Sequence, residues 1–248
     1  MPEEVCARCG GSGWVVVERE GISGAERCDC GREERARRLL ESAAIPSKYL
    51  NARFNTFEDY GETGLRHVKS MVTKYVEGFP AALDKPGLLL TGGVGSGKTH
   101  LAVAALRALV AKGHEGIFCD YQNLLDRIRA SYDQSSGASD REAYRSALEA
   151  EILLLDDLGA HRVTEWVEDI VTSIVTSRCN NQKALIVTTN LPVGDAGRRT
   201  EGRATAPPGQ VDYRLSLADR IGVRAHSRLF EMCNVFAMPA VEDHRLRK

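Results

Sequence analysis

From about Leu65 onward the chain alternates helical periodicity with short, nearly unbroken apolar runs. The runs are GLLLTG (87–92), GIFCDY (116–121), EILLLDD (151–157), KALIVTTN (183–190) and NVFAMP (234–239). A strand with one wet face alternates apolar and polar residues, whereas a strand covered on both faces need not. These runs therefore predict parallel strands sandwiched between helices, and the fold class expected is a doubly wound α/β domain. Ahead of it, WVVVE (14–18) predicts the first strand of a hairpin, and REERARRLLESAAI (32–45) a helix stopped by Pro46. Residues 46–64 hold aromatic side chains without a period and read as a lead-in packed on the following domain. The stretch 192–214, rich in Gly, Pro and Arg, is expected to be a long loop. The organisation expected is a small module over 1–31, a helical linker and lead-in over 32–64, and the α/β domain over 65–248.

Composition narrows the function classes. The 33 Lys and Arg nearly balance 34 Asp and Glu, so any nucleic-acid surface must be local rather than global. No apolar run approaches the roughly 20 residues of a membrane span. MPEEVCARCG has no positively charged stretch followed by an apolar one, so no secretory signal is visible and a cytoplasmic location is expected.

Four of the seven cysteines fall in the first thirty residues as Cys6-x₂-Cys9 and Cys28-x-Cys30. Such a set is either a disulfide framework or a metal site. In a reducing compartment two close thiolate pairs separated by a hairpin-length segment suit tetrahedral Zn²⁺, with Cys6, Cys9, Cys28 and Cys30 as ligands. A redox Cys-x-x-Cys lacks its usual βαβ surroundings here. Cys119, Cys179 and Cys233 sit singly in strand or helix patterns and read as core packing.

The strongest motif is TGGVGSGKTH (91–100). Gly92, Gly97, Lys98 and Thr99 satisfy G-x₄-G-K-[ST], directly after an apolar strand and before a helical pattern. Glycines let successive N–H groups curl around phosphate oxygens, and the helix N-terminus adds a favourable dipole. The residues expected to hold ATP are Gly92, Gly93, Val94, Gly95, Ser96, Gly97, Lys98, Thr99 and His100, with Lys98 on the β- and γ-phosphates and the Thr99 hydroxyl on Mg²⁺. EILLLDD ends in two acids: Asp156 is expected to hold the Mg²⁺ shell and Asp157 to polarise the attacking water. Asn190, at the tip of the next apolar run, is expected to hydrogen-bond that water or the γ-phosphate.

In this order, GLLLTGGVGSGKTHLAVA, ILLLDDLGA, IVTTNLP and SRLFEMC resemble the AAA+ ATPases of the DnaC/DnaI/IstB type, the bacterial and phage helicase loaders and transposition helpers. The resemblance covers roughly residues 43–248. It implies an AAA+ P-loop NTPase core with a five-stranded parallel sheet in the order 5-1-4-3-2. It also implies that Arg228 is an arginine finger for a neighbouring subunit, with Arg224 and Arg220 one and two turns earlier, and that Arg245 is a sensor-2 arginine. A homo-oligomer when ATP is bound, a replicative helicase as partner and single-stranded DNA as ligand follow from the same resemblance. Phe118, Tyr121, Arg127, Arg129 and Tyr132 are the candidates for stacking and phosphate contact. The helix bearing Arg32, Arg35, Arg37 and Arg38 could touch helicase or DNA. Many AAA+ proteins carry Asp-Glu where this chain has Asp156-Asp157, so weak, partner-stimulated ATP hydrolysis is expected. A transposition helper that assembles on double-stranded DNA and a nucleotide-controlled adaptor with little hydrolysis stand as alternatives.

Overall fold

The computed structural model describes residues 6–19, 22–81, 83–130, 138–160, 164–194 and 216–246. Strand β1 (Trp14–Arg19) pairs antiparallel with β2 (Ile22–Arg27), Trp14 opposite Arg27. Helix α1 (Cys30–Ser42) follows. It ends three residues short of the expected Ile45, because Ala44 turns into the left-handed region (φ 53) and reverses the chain before Pro46 is reached. Two 3₁₀ turns, Ser47–Tyr49 and Phe54–Thr56, lead into α2 (Thr63–Gly78). Leu65, Val68, Val72, Tyr75 and Val76 recur at steps of three and four and are the buried side of α2.

The remaining elements alternate. They are β3 (Gly87–Thr91), α3 (Lys98–Ala111), β4 (Gly116–Asp120), α4 (Tyr121–Ala130), α5 (Ala138–Glu149), β5 (Ile152–Asp156), α6 (Glu165–Asn180), β6 (Ala184–Thr189), α7 (Leu217–Ile221), α8 (Val223–Met232) and β7 (Cys233–Ala237). The five strands after the hairpin form one parallel sheet in the order β4-β5-β6-β3-β7. Numbered from β3 this is 5-1-4-3-2, as the resemblance implied.

Each central strand buries both faces. Leu88, Leu90, Ile152, Leu154 and Ile186 pack under α2 and α3, while Leu89, Leu153, Leu155, Leu185 and Val187 pack under α4, α6, α7 and α8. Removing each such leucine from water contributes about 1.5–3 kcal/mol. Ala52 and Phe57 of the lead-in are buried in the α2–α3 layer. Cys179 and Cys233 are buried and Cys119 half-buried, in keeping with packing roles.

A charged residue lies wholly inside. Arg178, near the end of α6, donates from Nη1 to the carbonyls of Ala147 (2.9 Å) and Ala150 (3.0 Å), and from Nη2 to those of Glu151 (3.1 Å) and Ala184 (2.5 Å). It fastens the end of α5 to the starts of β5 and β6, where the carbonyl end of a helix favours a cation. Burial pushes its guanidinium down to about 10. No helix among the described residues is long and apolar enough to cross a membrane. Within the expected loop, 195–214 lie outside the described residues, as does Tyr132.

Candidate functional site

Parallel strands all end on one edge, and the ends of β3, β5 and β6 bring the three chemical motifs together there. The loop 92–97 leaves β3 and turns into α3 at Gly97, whose φ of 91 only glycine adopts readily and where a Cβ would stand 2.6 Å from the Phe57 ring. Ser96 Oγ donates to the Gly93 carbonyl at 2.9 Å. Lys98 Nζ donates across the loop to the carbonyls of Gly92 (3.0 Å) and Gly93 (2.6 Å). Burial pushes the Lys98 ammonium down, and the charges of Asp157 and Asp156 act in the opposite direction.

A cleft of about 360 Å³ opens above this loop, within the size range of ligand pockets. Lys98, Thr99, Asp156, Asp157 and Asn190 line it, as do Val94, Gly95, Gly97 and His100. Asp156 is buried at the end of β5, and its Oδ1 accepts from the Thr188 hydroxyl at 2.6 Å. Burial raises its pKa, against which the Thr188 and Thr99 hydroxyls act. Asp157 follows at φ 61, a left-handed backbone that carries its side chain toward Asn190. Asn190 Nδ2 donates to Asp157 Oδ1 at 2.5 Å. Asn190 thus holds the second acid directly, a contact the expectation for water or phosphate did not include. Thr188 escaped the sequence reading, although strand periodicity places it on the same side as Asn190.

The C-terminal turn closes over the phosphate loop. His244 Nδ1 lies 2.9 Å from the Gly95 carbonyl oxygen, and a Cβ at Gly95 would strike the Asp243 carboxylate at 2.0 Å. Arg245 lines the same cleft and donates from Nε (2.9 Å) and Nη2 (2.6 Å) to Asp243, which holds the Asp243 carboxyl down at about 2. On the other side of Gly95–Gly97 lies an apolar cavity of about 250 Å³, with Phe57, Tyr60, Leu65 and Val241 in its wall. It lies beside the phosphate loop, and its residues are too far apart in sequence to form a motif. His100 lines both cavities, but its ring is held by the lead-in: Nε2 lies 3.0 Å from the Arg53 carbonyl oxygen and 3.3 Å from Thr56 Oγ1.

Other expected residues stand elsewhere. Arg228, exposed on α8, pairs with Glu231 of the same helix and does not line its own chain's cleft. Arg224 is exposed and Arg220 half-buried. Phe118 and Tyr121 are buried on opposite sides of the sheet, so they pack the core and cannot stack on bases, which corrects that expectation. Arg129 lies over the Trp166 ring at 4.8 Å. On α1, Arg37 and Arg38 both pair with Glu34, so that charged face is partly self-neutralised.

At the N-terminal module the sulfurs of Cys6, Cys9, Cys28 and Cys30 all lie within 4.8 Å of one another. Four sulfurs each 2.3 Å from a central Zn²⁺ stand about 3.8 Å apart. Cys6 and Cys28 are separated by 3.8 Å and Cys9 and Cys30 by 3.4 Å, so the donors fit a tetrahedral ion with small adjustments. Tight turns shape the first pair, with Gly10 N–H donating to the Cys6 carbonyl at 2.8 Å. Backbone N–H groups of Cys9 and Arg8 pull the Cys6 thiol down to about 6, whereas the surrounding sulfurs of Cys9, Cys28 and Cys6 push Cys30 up. A cation placed among them would stabilise all four as thiolates.

Comparison with known proteins gives the same picture. The profile of the IstB-like ATP binding proteins matches residues 27–205. Phage-like element PBSX protein XkdC of Bacillus subtilis (strain 168) is 24% identical over 216 residues, which cover 81% of this chain and 77% of that protein. A putative ATP-binding protein in an insertion sequence of Mycobacterium tuberculosis, Rv3427c, is 30% identical over 162 residues, or 64% of this chain and 62% of its own length. The crystal structure of the DnaC helicase loader superposes with a TM-score of 0.62 and 29% identity, covering 78% of this chain and 100% of that one. A phosphate loop, paired acids, a polar strand tip and the 5-1-4-3-2 sheet in one chain thus have a single assignment: it belongs to the IstB-like ATP-binding proteins, AAA+ ATPases of the DnaC/IstB type.

Proposed function

We propose that this protein is an ATP-hydrolysing loader of a replicative helicase, working in the cytoplasm. The observation that carries the reading is the correspondence with the DnaC helicase loader over the whole of that chain, by a core whose cleft gathers Lys98, Asp156, Asp157 and Asn190.

ATP would lie with its phosphates on the N–H groups of loop 92–97 and its base in the apolar slot of Phe57, Tyr60 and Val241. Mg²⁺, held by Thr99 and Asp156, would neutralise phosphate charge. Lys98 exchanges loop carbonyls for phosphate oxygens, an interaction better suited to a cation. Asp157, braced by Asn190, orients the attacking water. Its carboxylate is one methylene shorter than the glutamate of many AAA+ proteins, which favours slow turnover that rises when a partner tightens the site. Arg245 leaves Asp243 for the γ-phosphate, and Arg228 of a neighbouring copy completes the charge stabilisation, so the ATP-bound form is oligomeric. Single-stranded DNA is met through phosphate contacts, by Arg127 and Arg129, without base stacking by the buried Phe118 and Tyr121. The Zn²⁺ module is the handle on the helicase, since a closed four-sulfur site leaves no position for catalytic water.

The test is capture of the cell's own replicative helicase by the full chain, with and without EDTA, alongside ATP turnover with single-stranded DNA. Metal-dependent capture and stimulated turnover are expected. The insertion-sequence relative supports a second reading, a transposition helper. Cooperative assembly on double-stranded DNA without helicase capture would favour it. ATP turnover that stays flat with every partner would instead mark a nucleotide-controlled adaptor.

A further inference from the structure

Thr188 is buried near the end of β6, beside β5. Its hydroxyl makes two bonds of opposite sense, donating to Asp156 Oδ1 at 2.6 Å and accepting from the Asp157 N–H at 2.9 Å. Its carbonyl accepts from the Leu158 N–H at 2.8 Å. A hydroxyl has one proton, and here the acid takes it while a lone pair takes the amide, so the group's role is specific in direction. Valine would fill the same space and do neither. The amide it holds belongs to a residue at φ 61, a left-handed conformation that persists in an aspartate when neighbours enforce it. Two positions on, Asn190 holds the carboxylate of that residue. One strand therefore carries the clamps for both acids.

We infer that Thr188 is a positioning residue for hydrolysis, whose hydroxyl aims Asp156 at the Mg²⁺ position beside Thr99 and fixes the backbone that presents Asp157. The inference rests on the ATPase reading above. A merely structural threonine would satisfy a buried polar atom and influence stability alone.

The test compares Thr188→Ser, Thr188→Ala and Thr188→Val in the full chain. Serine and alanine differ by the hydroxyl only, and valine preserves the volume. Three quantities are measured below the melting temperature of each variant: affinity for a fluorescent ATP analogue without Mg²⁺, the Mg²⁺ concentration that half-saturates its tighter binding, and kcat and KM for ATP with single-stranded DNA. Thr188→Ser is expected to stay close to the parent. Alanine and valine are expected to raise the Mg²⁺ requirement several-fold and lower kcat roughly tenfold or more, the range carried by a hydrogen bond to a charged group, with little change in KM or in Mg²⁺-free binding. Alanine and valine variants with the parent's Mg²⁺ requirement and kcat would overturn the inference, as would a serine variant as impaired as alanine. If the parent shows no turnover with any partner, the ATPase reading fails by itself, and the Mg²⁺ requirement still decides whether Thr188 aims Asp156.

Discussion

Asn190→Ala tests the site most directly. The substitution deletes the amide that donates to Asp157 Oδ1 at 2.5 Å and leaves the phosphate loop untouched. A hydrogen bond to a charged group is worth about 1.5–3 kcal/mol, and because Asn190 is exposed and Asp157 half-buried the lower end applies. About 1.5 kcal/mol lost from the transition state is roughly a tenfold fall in kcat. Asn190→Asp places a second negative charge against the first and should fall further, roughly a hundredfold at the effective dielectric of a partly exposed site. The same hydrogen bond is lost from the folded state, so stability should also fall, by up to about 1.5 kcal/mol. The assay is phosphate release at saturating single-stranded DNA, with kcat and KM resolved and melting recorded for each variant. If Asn190→Ala turned over at the parent's rate while Asp157→Ala was inactive, the brace would have no catalytic role. A rise in KM with kcat unchanged would assign Asn190 to nucleotide binding instead.

Two further outcomes rest on other parts of the molecule. Arg178→Met removes the donors of four carbonyls at the joint of α5, β5 and β6, and the bare acceptors should outweigh the relief of no longer burying a cation, for a loss of about 3 kcal/mol in urea unfolding at neutral pH; a stability equal to the parent's would refute that balance. The module should hold close to one zinc per chain, lost in Cys6→Ser. Protons compete with the metal for all four thiolates, of which Cys6, lowered to about 6, is the last to take one, so zinc captured by a chromophoric chelator should rise as the pH falls from neutrality through about 6. Full retention at pH values well below that point would contradict it.

Much of this was legible in one dimension because the constraints are local. A strand covered on both faces must be apolar throughout, so GLLL, ILLL and ALIV announced themselves, and a phosphate cradle needs its glycines, lysine and threonine consecutively. Two pairs of cysteines at knuckle spacing carry the same kind of local information. Where the competition was with a neighbour distant in sequence, the reading failed. Phe118 and Tyr121 have the composition of a nucleic-acid surface, yet the hydrophobic gain of burying them on the two sides of the sheet outweighs it. Pro46 predicts a helix that runs to Ile45, whereas α1 ends at Ser42 and the backbone reverses at Ala44.

The sequence by itself determined the fold class, the phosphate-loop motif and the pairing of the N-terminal cysteines, since periodicity and contiguous motifs are properties of the chain alone. Only the tertiary structure decided which strand lies beside which, and with that the contacts between residues some thirty positions apart. Thr188 touches Asp156 and Asn190 touches Asp157 because β6 and β5 are neighbours in register, and Asp243 meets Gly95 because the last turn folds back over the phosphate loop. Hydrogen bonds act over about 3 Å of space whatever the separation along the chain, so no pattern in the sequence could have announced them.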